Sequence, residues 1–339
     1  MSEVRWERYP RIASCSTAKA WLRTEANLGL SSNTVDAYGR ALQDYLAFSH
    51  ATGLVPETAT REHVSLYVRD LTSRKTLSGL SFANATLQQR LTALRLFYDY
   101  LMEEGVRANN PIGRGRYTPG KAFCSKRDRG LIPHYRRLPW IPTEQQWKAL
   151  VEAARQERPR NRVMLALSYD GALRREELCG LETSDIDPAH RLLRIRSEIT
   201  KNRCGRVVPY SEATGALYAR YLQRRRELSR ERGPLFLSES RRNPGQPVSI
   251  WTWSKVVRTI AKKANVPEFS THTARHLCLT DLARAGWDLH EIARFAGHRS
   301  VQSTLLYIHL SGKDLSEKLA RGMAELRARR VSLLAEVLA

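Results

Sequence analysis

Residues 171–181 read Gly-Ala-Leu-Arg-Arg-Glu-Glu-Leu-Cys-Gly-Leu, and in them Arg174 and Glu177 stand three apart, the spacing that places two side chains on one face of a helix. Alone, this is the pattern of an ordinary surface ion pair, which is worth little. Three further patterns follow in the same half of the chain. Thr200-Lys-Asn-Arg-Cys-Gly-Arg-Val-Val-Pro holds Lys201 beside a polar, glycine-containing turn. Ser270-Thr-His-Thr-Ala-Arg-His sets His272 and Arg275 on one face of a helix that Ser270 or Thr271 can cap. Gly297-His-Arg-Ser is followed, nine residues after His298, by Tyr307 within Thr304-Leu-Leu-Tyr-Ile-His. Each has a plain explanation by itself: a solvated turn lysine, a spacing that is cheap in an arginine-rich chain, a tyrosine in a helix core. His134 and Arg137 repeat the His272–Arg275 spacing where no apolar helix surrounds them, and serve as an internal decoy.

Around these patterns the chain organises into two units. Residues 141–312 open at Pro142-Thr-Glu-Gln-Gln, where Thr143 and Gln146 have the spacing of a capping box, and continue as helices. The exception lies at residues 191–210, where Leu192, Leu193 and Ile195, then Val207 and Val208, are short β-prone runs that predict a hairpin. Residues 13–105 read as a second helical unit. Leu30, Val35, Tyr38, Leu42, Tyr45 and Leu46 recur at helical spacing behind a Ser31 or Ser32 cap, and a last helix runs from about Ser81 to Glu104 and stops at Gly105. Residues 106–140, rich in Gly, Pro, Arg and Lys with Asp128 the only acid in 106–137, read as an extended basic linker able to follow a phosphate backbone. Residues 313–339 carry a helical apolar stripe of Leu315, Leu319, Met323, Leu326, Leu333 and Val337.

Composition narrows the function. Lysine and arginine number 56 against 34 acids, a net charge of +22, and nucleic acid is the partner such an excess fits best. The five cysteines, Cys15, Cys124, Cys179, Cys204 and Cys278, form no C-x-x-C pair, which supports neither a zinc ribbon nor a disulfide framework. No Walker-type loop points to ATP. Neither an apolar run of membrane-spanning length nor a secretory signal is present, so the expected setting is the cytoplasm.

Together and in this order, the four patterns resemble the catalytic constellation of the tyrosine recombinases, the phage-integrase-like family. Arg174 with Glu177 resembles the family's first arginine box, Lys201, eight residues before Pro209, its hairpin lysine, and His272-x-x-Arg275, Gly297-His298 and Tyr307 the remainder. The resemblance implies a mainly α-helical fold: an N-terminal SAM-like core-binding domain and an α-rich catalytic domain with a small β-hairpin. It implies a site-specific recombinase, of integrase, transposase or resolvase type, that cleaves and rejoins double-stranded DNA. It also implies a tetramer on two DNA sites, of one chain or with a sister recombinase, with the 313–339 tail docked on a neighbouring protomer. Neither metal nor cofactor is expected.

In that chemistry two guanidinium groups, Arg174 and Arg275, oppose the charge that builds on a phosphate, and Tyr307 is the nucleophile. Lys201 is the candidate acid for the leaving oxygen, His272 a candidate for the tyrosine proton, and His298 a hydrogen-bond donor to the phosphate. Glu177 is expected to orient Arg174 or His272, His276 to be a packing or supporting residue, and His309 to lie near the phosphate. The sequence departs from the family pattern at Arg175, Glu176, Asn202 and Ala274, none of which removes a catalytic group. Two rivals are a type IB topoisomerase-like enzyme, against which the tail and the N-terminal helices speak, and a DNA-binding regulator that keeps the fold without the reaction.

Overall fold

The computed structural model describes residues 3–76, 79–112, 131–132, 138–310 and, in the tail, 323, 324, 326, 328 and 330. The chain divides into two compact units, Met1–Arg137 and Leu138–Ala339. Most of the basic linker (113–130 and 133–137, with His134 and Arg137), most of the tail stripe and the His309 side chain lie outside the described residues.

The first unit is built from helices α1 (Pro10–Ser14), α2 (Ser16–Asn27), α3 (Ser32–Ala51), α4 (Arg61–Ser73) and α5 (Asn84–Glu103). Ser31 caps α3 by accepting the Thr34 N–H, and a capping box joins Thr60 to His63 at the start of α4. α5 begins three residues later than its apolar pattern predicts and ends where the sequence places its stop, at Gly105 with φ +70°. The apolar faces meet in one core that includes the fully buried Trp21, Tyr45, Tyr67, Phe97 and Tyr98. α1 lies close on α3 because Gly39 leaves room for the Tyr9 ring; a Cβ there would sit 2.8 Å from it.

The second unit continues with α6 (Glu144–Arg155), α7 (Pro159–Asp170), α8 (Arg175–Cys179), β1 (Ile186–Asp187), β2 (Leu192–Ile195), β3 (Arg206–Pro209), α9 (Glu212–Leu228), α10 (Ile250–Lys263), α11 (Thr273–Arg284), α12 (Leu289–Ala296) and α13 (Leu305–Leu310). The Thr143–Gln146 capping box forms at the start of α6. The hairpin forms too, with Leu193 opposite Val208 and Ile195 opposite Arg206, and β1 adds a third antiparallel strand in the order β1-β2-β3. Leu193, Ile195 and Val208 turn inward, so the sheet closes over the same core as α7, whose buried Val163, Met164 and Leu167 pack beside Tyr221 of α9 and Trp253 of α10. A satellite cluster of Ala172, Cys278, Leu279, Ile292, Ala296 and Tyr307 lies where α11, α12 and α13 meet. Among the described residues no helix is long and apolar enough to cross a membrane.

Candidate active site

Arg174 and Glu177 do not form the exposed pair that their spacing alone suggests. Arg174 is the N-cap of α8 and Glu177 its third residue, so the carboxylate turns back and accepts the Arg174 backbone N–H at 2.9 Å as well as Nη1 at 2.7 Å. Glu177 is 0% exposed and is gripped from the other side by Arg206 of β3, whose Nη1 and Nη2 donate to its two oxygens at 3.2 and 2.8 Å. Burial alone would raise the Glu177 pKa; the two guanidiniums outweigh it and hold the carboxyl at about 2. One negative charge is thus shared by two positive ones.

Arg275 is held differently. It lies on the buried side of α11, donates from Nη1 to the carbonyl of Ala172 and from Nη2 to that of Ala296 at 2.7 Å, and meets His298 Nε2 at 2.9 Å. Ala172 presents its carbonyl from a left-handed backbone, φ +45°, in the sharp turn after α7, a conformation that costs an alanine about 1–2 kcal/mol. Among the described residues no carboxylate is in contact with Arg275, and burial, with Arg174 adding repulsion, lowers its pKa to about 10, still charged at neutral pH.

His298 owes its place to the end of α12. Gly297 takes the left-handed conformation, φ +62°, and the N–H groups of Gly297 and His298 return to Arg294 and Ala293. A side chain at 297 would also meet Arg206, since a Cβ there lies 2.9 Å from Nη1. The Gly297 carbonyl gathers Arg174 Nη2 at 3.4 Å and Asn202 Nδ2 at 3.1 Å, which ties the turn after Lys201 to the arginines. A guanidinium only donates, so His298 Nε2 is the acceptor and its Nδ1–H donates to Thr304 Oγ1 at 2.9 Å. Burial, with Arg275, Arg174 and Arg206 around it, pushes the His298 pKa down to about 3. Both ring nitrogens are therefore engaged within the chain, Nε2 with Arg275 and Nδ1 with Thr304.

Tyr307, 3% exposed on α13, stacks parallel to the His298 ring at 6.1 Å between centroids. Burial raises its pKa, and Arg275 and Arg174 oppose the rise. Its hydroxyl lies 3.0 Å from His276 Nδ1. His276, expected only to support packing, is thus the histidine that touches the tyrosine, whereas His272 stands exposed at the mouth of α11, one turn earlier and 6.5 Å from His276 between ring centroids. The pKa of His272 is lowered, first by partial burial, with Glu176 opposing and Arg175, Arg275 and Arg174 assisting. The carboxylate facing His272 is therefore Glu176, and Glu177 serves the arginines. Lys201 is exposed on the turn between the 3-10 segment Ser197–Ile199 and β3.

Arg174, Arg275, His298 and Tyr307 thus converge, with Lys201 and His272 at the edge. Sequence reasoning passed over Arg206 and gave His276 only a packing or supporting role. A signal for the first was available: residue 206 shares the inward strand face with Val208, and an arginine at such a position needs a buried acid. An open cleft of about 930 Å³ beside Gly297 and His298 is lined by Asn202, Arg206, Arg294 and Arg299.

Comparison with known proteins bears on the family and the fold. Residues 142–313 match the phage integrase family and residues 21–105 the phage integrase N-terminal SAM-like domain. The tyrosine recombinase XerC of Thermodesulfovibrio yellowstonii is 29% identical over 85% of this chain and 89% of its own length. XerC of Mycobacterium bovis is 30% identical over 69% of this chain and 75% of its own. Among solved structures, the XerH recombinase on palindromic difH, a post-cleavage complex, gives a TM-score of 0.66 at 17% identity, covering 90% of this chain and 84% of that one. The Tn1549 transposon integrase in complex with transposon right end DNA gives 0.65 at 17% identity, covering 90% and 98%. Helical bundle, small sheet, Arg174, Arg275 and Tyr307 all sit within the matched segments, and the chain belongs to the phage integrase family, the site-specific tyrosine recombinases.

Proposed function

We propose that this recombinase cleaves and rejoins duplex DNA at specific sites by transesterification at Tyr307, without metal or ATP. Arg174 and Arg275 hold the non-bridging oxygens of the scissile phosphate and oppose the charge that builds there. The Tyr307 oxygen bonds to phosphorus, the bond to the 5′-oxygen breaks, and the exposed Lys201 gives that oxygen its proton. The resulting 3′-phosphotyrosyl link keeps the bond energy for rejoining. His298 acts through Arg275, Glu177 and Arg206 position Arg174, and His272 stands where it can exchange protons with solvent.

The observation that carries this reading is the burial of Arg275 and Tyr307 within one cluster that also includes Arg174, each from a different segment of the chain. The net charge of +22 supports a polyanionic partner, and binding weakens steeply with salt because phosphate contacts release counterions. Residues 106–140 would follow the backbone of the DNA, with 13–105 as the core-binding domain and 141–312 as the catalytic one. The tail, 313–339, would dock on a neighbouring protomer in a tetramer on two sites; Met323 and Leu326 are exposed there. Removing the residues after Arg327 is expected to abolish recombination and spare binding to a single site, a difference that native gels and a recombination assay resolve.

The direct test is a denaturing gel of protein incubated with DNA from the flanks of its gene, in EDTA and without ATP. Covalent adducts at 3′ ends that vanish in Tyr307→Phe are expected. Adducts that persist in that variant would remove Tyr307 from the reaction.

A further inference from the structure

Among the described residues, the hydrogen bond of the Tyr307 hydroxyl points its proton to one acceptor. The charges of Arg275 and Arg174 favour the phenolate, but a guanidinium has no lone pair to take the proton. His298 lies against the ring face, its Nε2 accepting from Arg275 and its Nδ1 bonded to Thr304. Among the described residues, the hydroxyl's hydrogen-bond partner is His276 Nδ1, at 3.0 Å, the distance at which a general base takes a proton. His272 is exposed and its ring lies beyond His276, 6.5 Å from it between centroids.

We propose that His276 is the proton acceptor for Tyr307 in strand cleavage, and that His272 is not. The inference rests on the reading of Tyr307 as nucleophile. In the step, the Tyr307 O–H bond breaks and its proton passes to His276 Nδ1 as the Oη–P bond forms. The P–O5′ bond breaks in the same displacement and the 5′-oxygen takes its proton from Lys201. Rejoining reverses both transfers, with the imidazolium of His276 returning its proton to the tyrosine oxygen.

The electrostatics suit a base that is neutral before the DNA arrives. Burial, with His272 and Arg275 adding to it, pushes the His276 pKa down to about 4, so the ring is neutral at neutral pH, and with its proton on Nε2 the Nδ1 lone pair faces the Tyr307 hydroxyl. The charged and titratable groups facing this ring are His272 and Arg275 of its own helix, Tyr307 of α13, and His298 beyond α12. A phosphate anion held by Arg275 offsets the positive charge that weakens His276, so the substrate itself strengthens the base at the moment it is needed.

The test uses the full chain on a nicked suicide site that traps the covalent adduct, with single-turnover rates for wild type, Tyr307→Phe, His272→Ala, His276→Ala and His276→Gln. Loss of the base lowers the cleavage rate by about 10²–10⁴-fold in both His276 variants, with DNA retention on native gels unchanged. Glutamine is included because it fills the space and accepts a hydrogen bond without taking a proton. Added imidazole restores cleavage to His276→Ala, and more basic imidazoles restore it faster; His272→Ala gains nothing from imidazole. Wild-type cleavage by His276→Gln would overturn the assignment even if the alanine variant fails to fold, as would imidazole rescue confined to His272→Ala. Adducts that survive Tyr307→Phe would overturn the nucleophile itself, a failure separable from loss of His276 alone.

Discussion

Arg174 and Arg275, both in the second unit, are held in opposite ways. Arg174 spends its charge on Glu177, a carboxylate it shares with Arg206, while Arg275 is fixed by two backbone carbonyls and a neutral histidine. The first arrangement is an ion-pair network of two positive charges on one negative; in the second, no carboxylate among the described residues touches the buried positive charge. Burying an uncompensated charge is costly unless an anion arrives to meet it. The difference teaches where the fold stores affinity for a phosphate: neutral acceptors orient Arg275 without neutralising it, and the Glu177 network supplies rigidity for Arg174 while one net positive charge remains.

The largest effect comes from removing the uncompensated charge. Arg275→Met leaves the Ala172 and Ala296 carbonyls without their donor and is expected to lower adduct formation by about 10²–10³-fold or more, measured under single-turnover conditions. If the charge of Arg275 is what matters, salt dependence of DNA binding weakens in the same variant. Next is Glu177→Gln, which strips the shared counterion from two guanidiniums. Breaking a buried pair in this way costs about 3–5 kcal/mol and should appear as a lowered denaturant midpoint. Arg174→Met, which leaves Glu177 paired with Arg206, is expected to damage cleavage while costing less stability than Glu177→Gln; equal losses of stability would blur the contrast drawn between the two arginines.

The smallest effect is the pH dependence of stability, and its sign follows from the histidines. His276 and His298 have folded pKa values near 4 and 3, below the ordinary value of 6.5, so the unfolded chain binds more protons between those limits. Their contribution is complete above about pH 6.5 and is lost progressively as pH falls towards 4 and then 3. Glu177, held at about 2, adds a loss at lower pH still, between its ordinary 4.5 and 2. Denaturant midpoints between pH 7 and 5 should therefore fall, and fall less in His298→Gln.

Much of the fold was legible in the sequence because local chemistry dictated it. Ser31 and the Thr143–Gln146 box mark helix starts, Gly105 marks a stop, and alternating Leu193, Ile195 and Val208 mark the hairpin. α11 starts at Thr273, two residues later than a Ser270 cap and one later than a Thr271 cap suggests, since His272 is the N-cap and the Ser270 N–H is given to Thr273 Oγ1. The four catalytic-looking patterns were visible through order and spacing. Their partners were not, because the pairings span the chain: Glu177 with Arg206 crosses from α8 to β3, and His276 meets Tyr307 from 31 positions away. Spacing rules describe one helix face at a time and carry no information about which face meets which. For the same reason the occupied nitrogens of His298 were hidden until Arg275 and Thr304 could be seen on either side of the ring.

The central claim, that Tyr307 carries the DNA, is tested most directly by mass spectrometry of the trapped adduct after nuclease and trypsin digestion. Residues 300–313, bounded by Arg299 and Lys313, form a peptide in which Tyr307 is the only tyrosine. The account predicts a nucleotide phosphate on that peptide, fragmenting at Tyr307; a nucleotide on any other tyrosine, or on a serine or threonine of the same peptide, would contradict it.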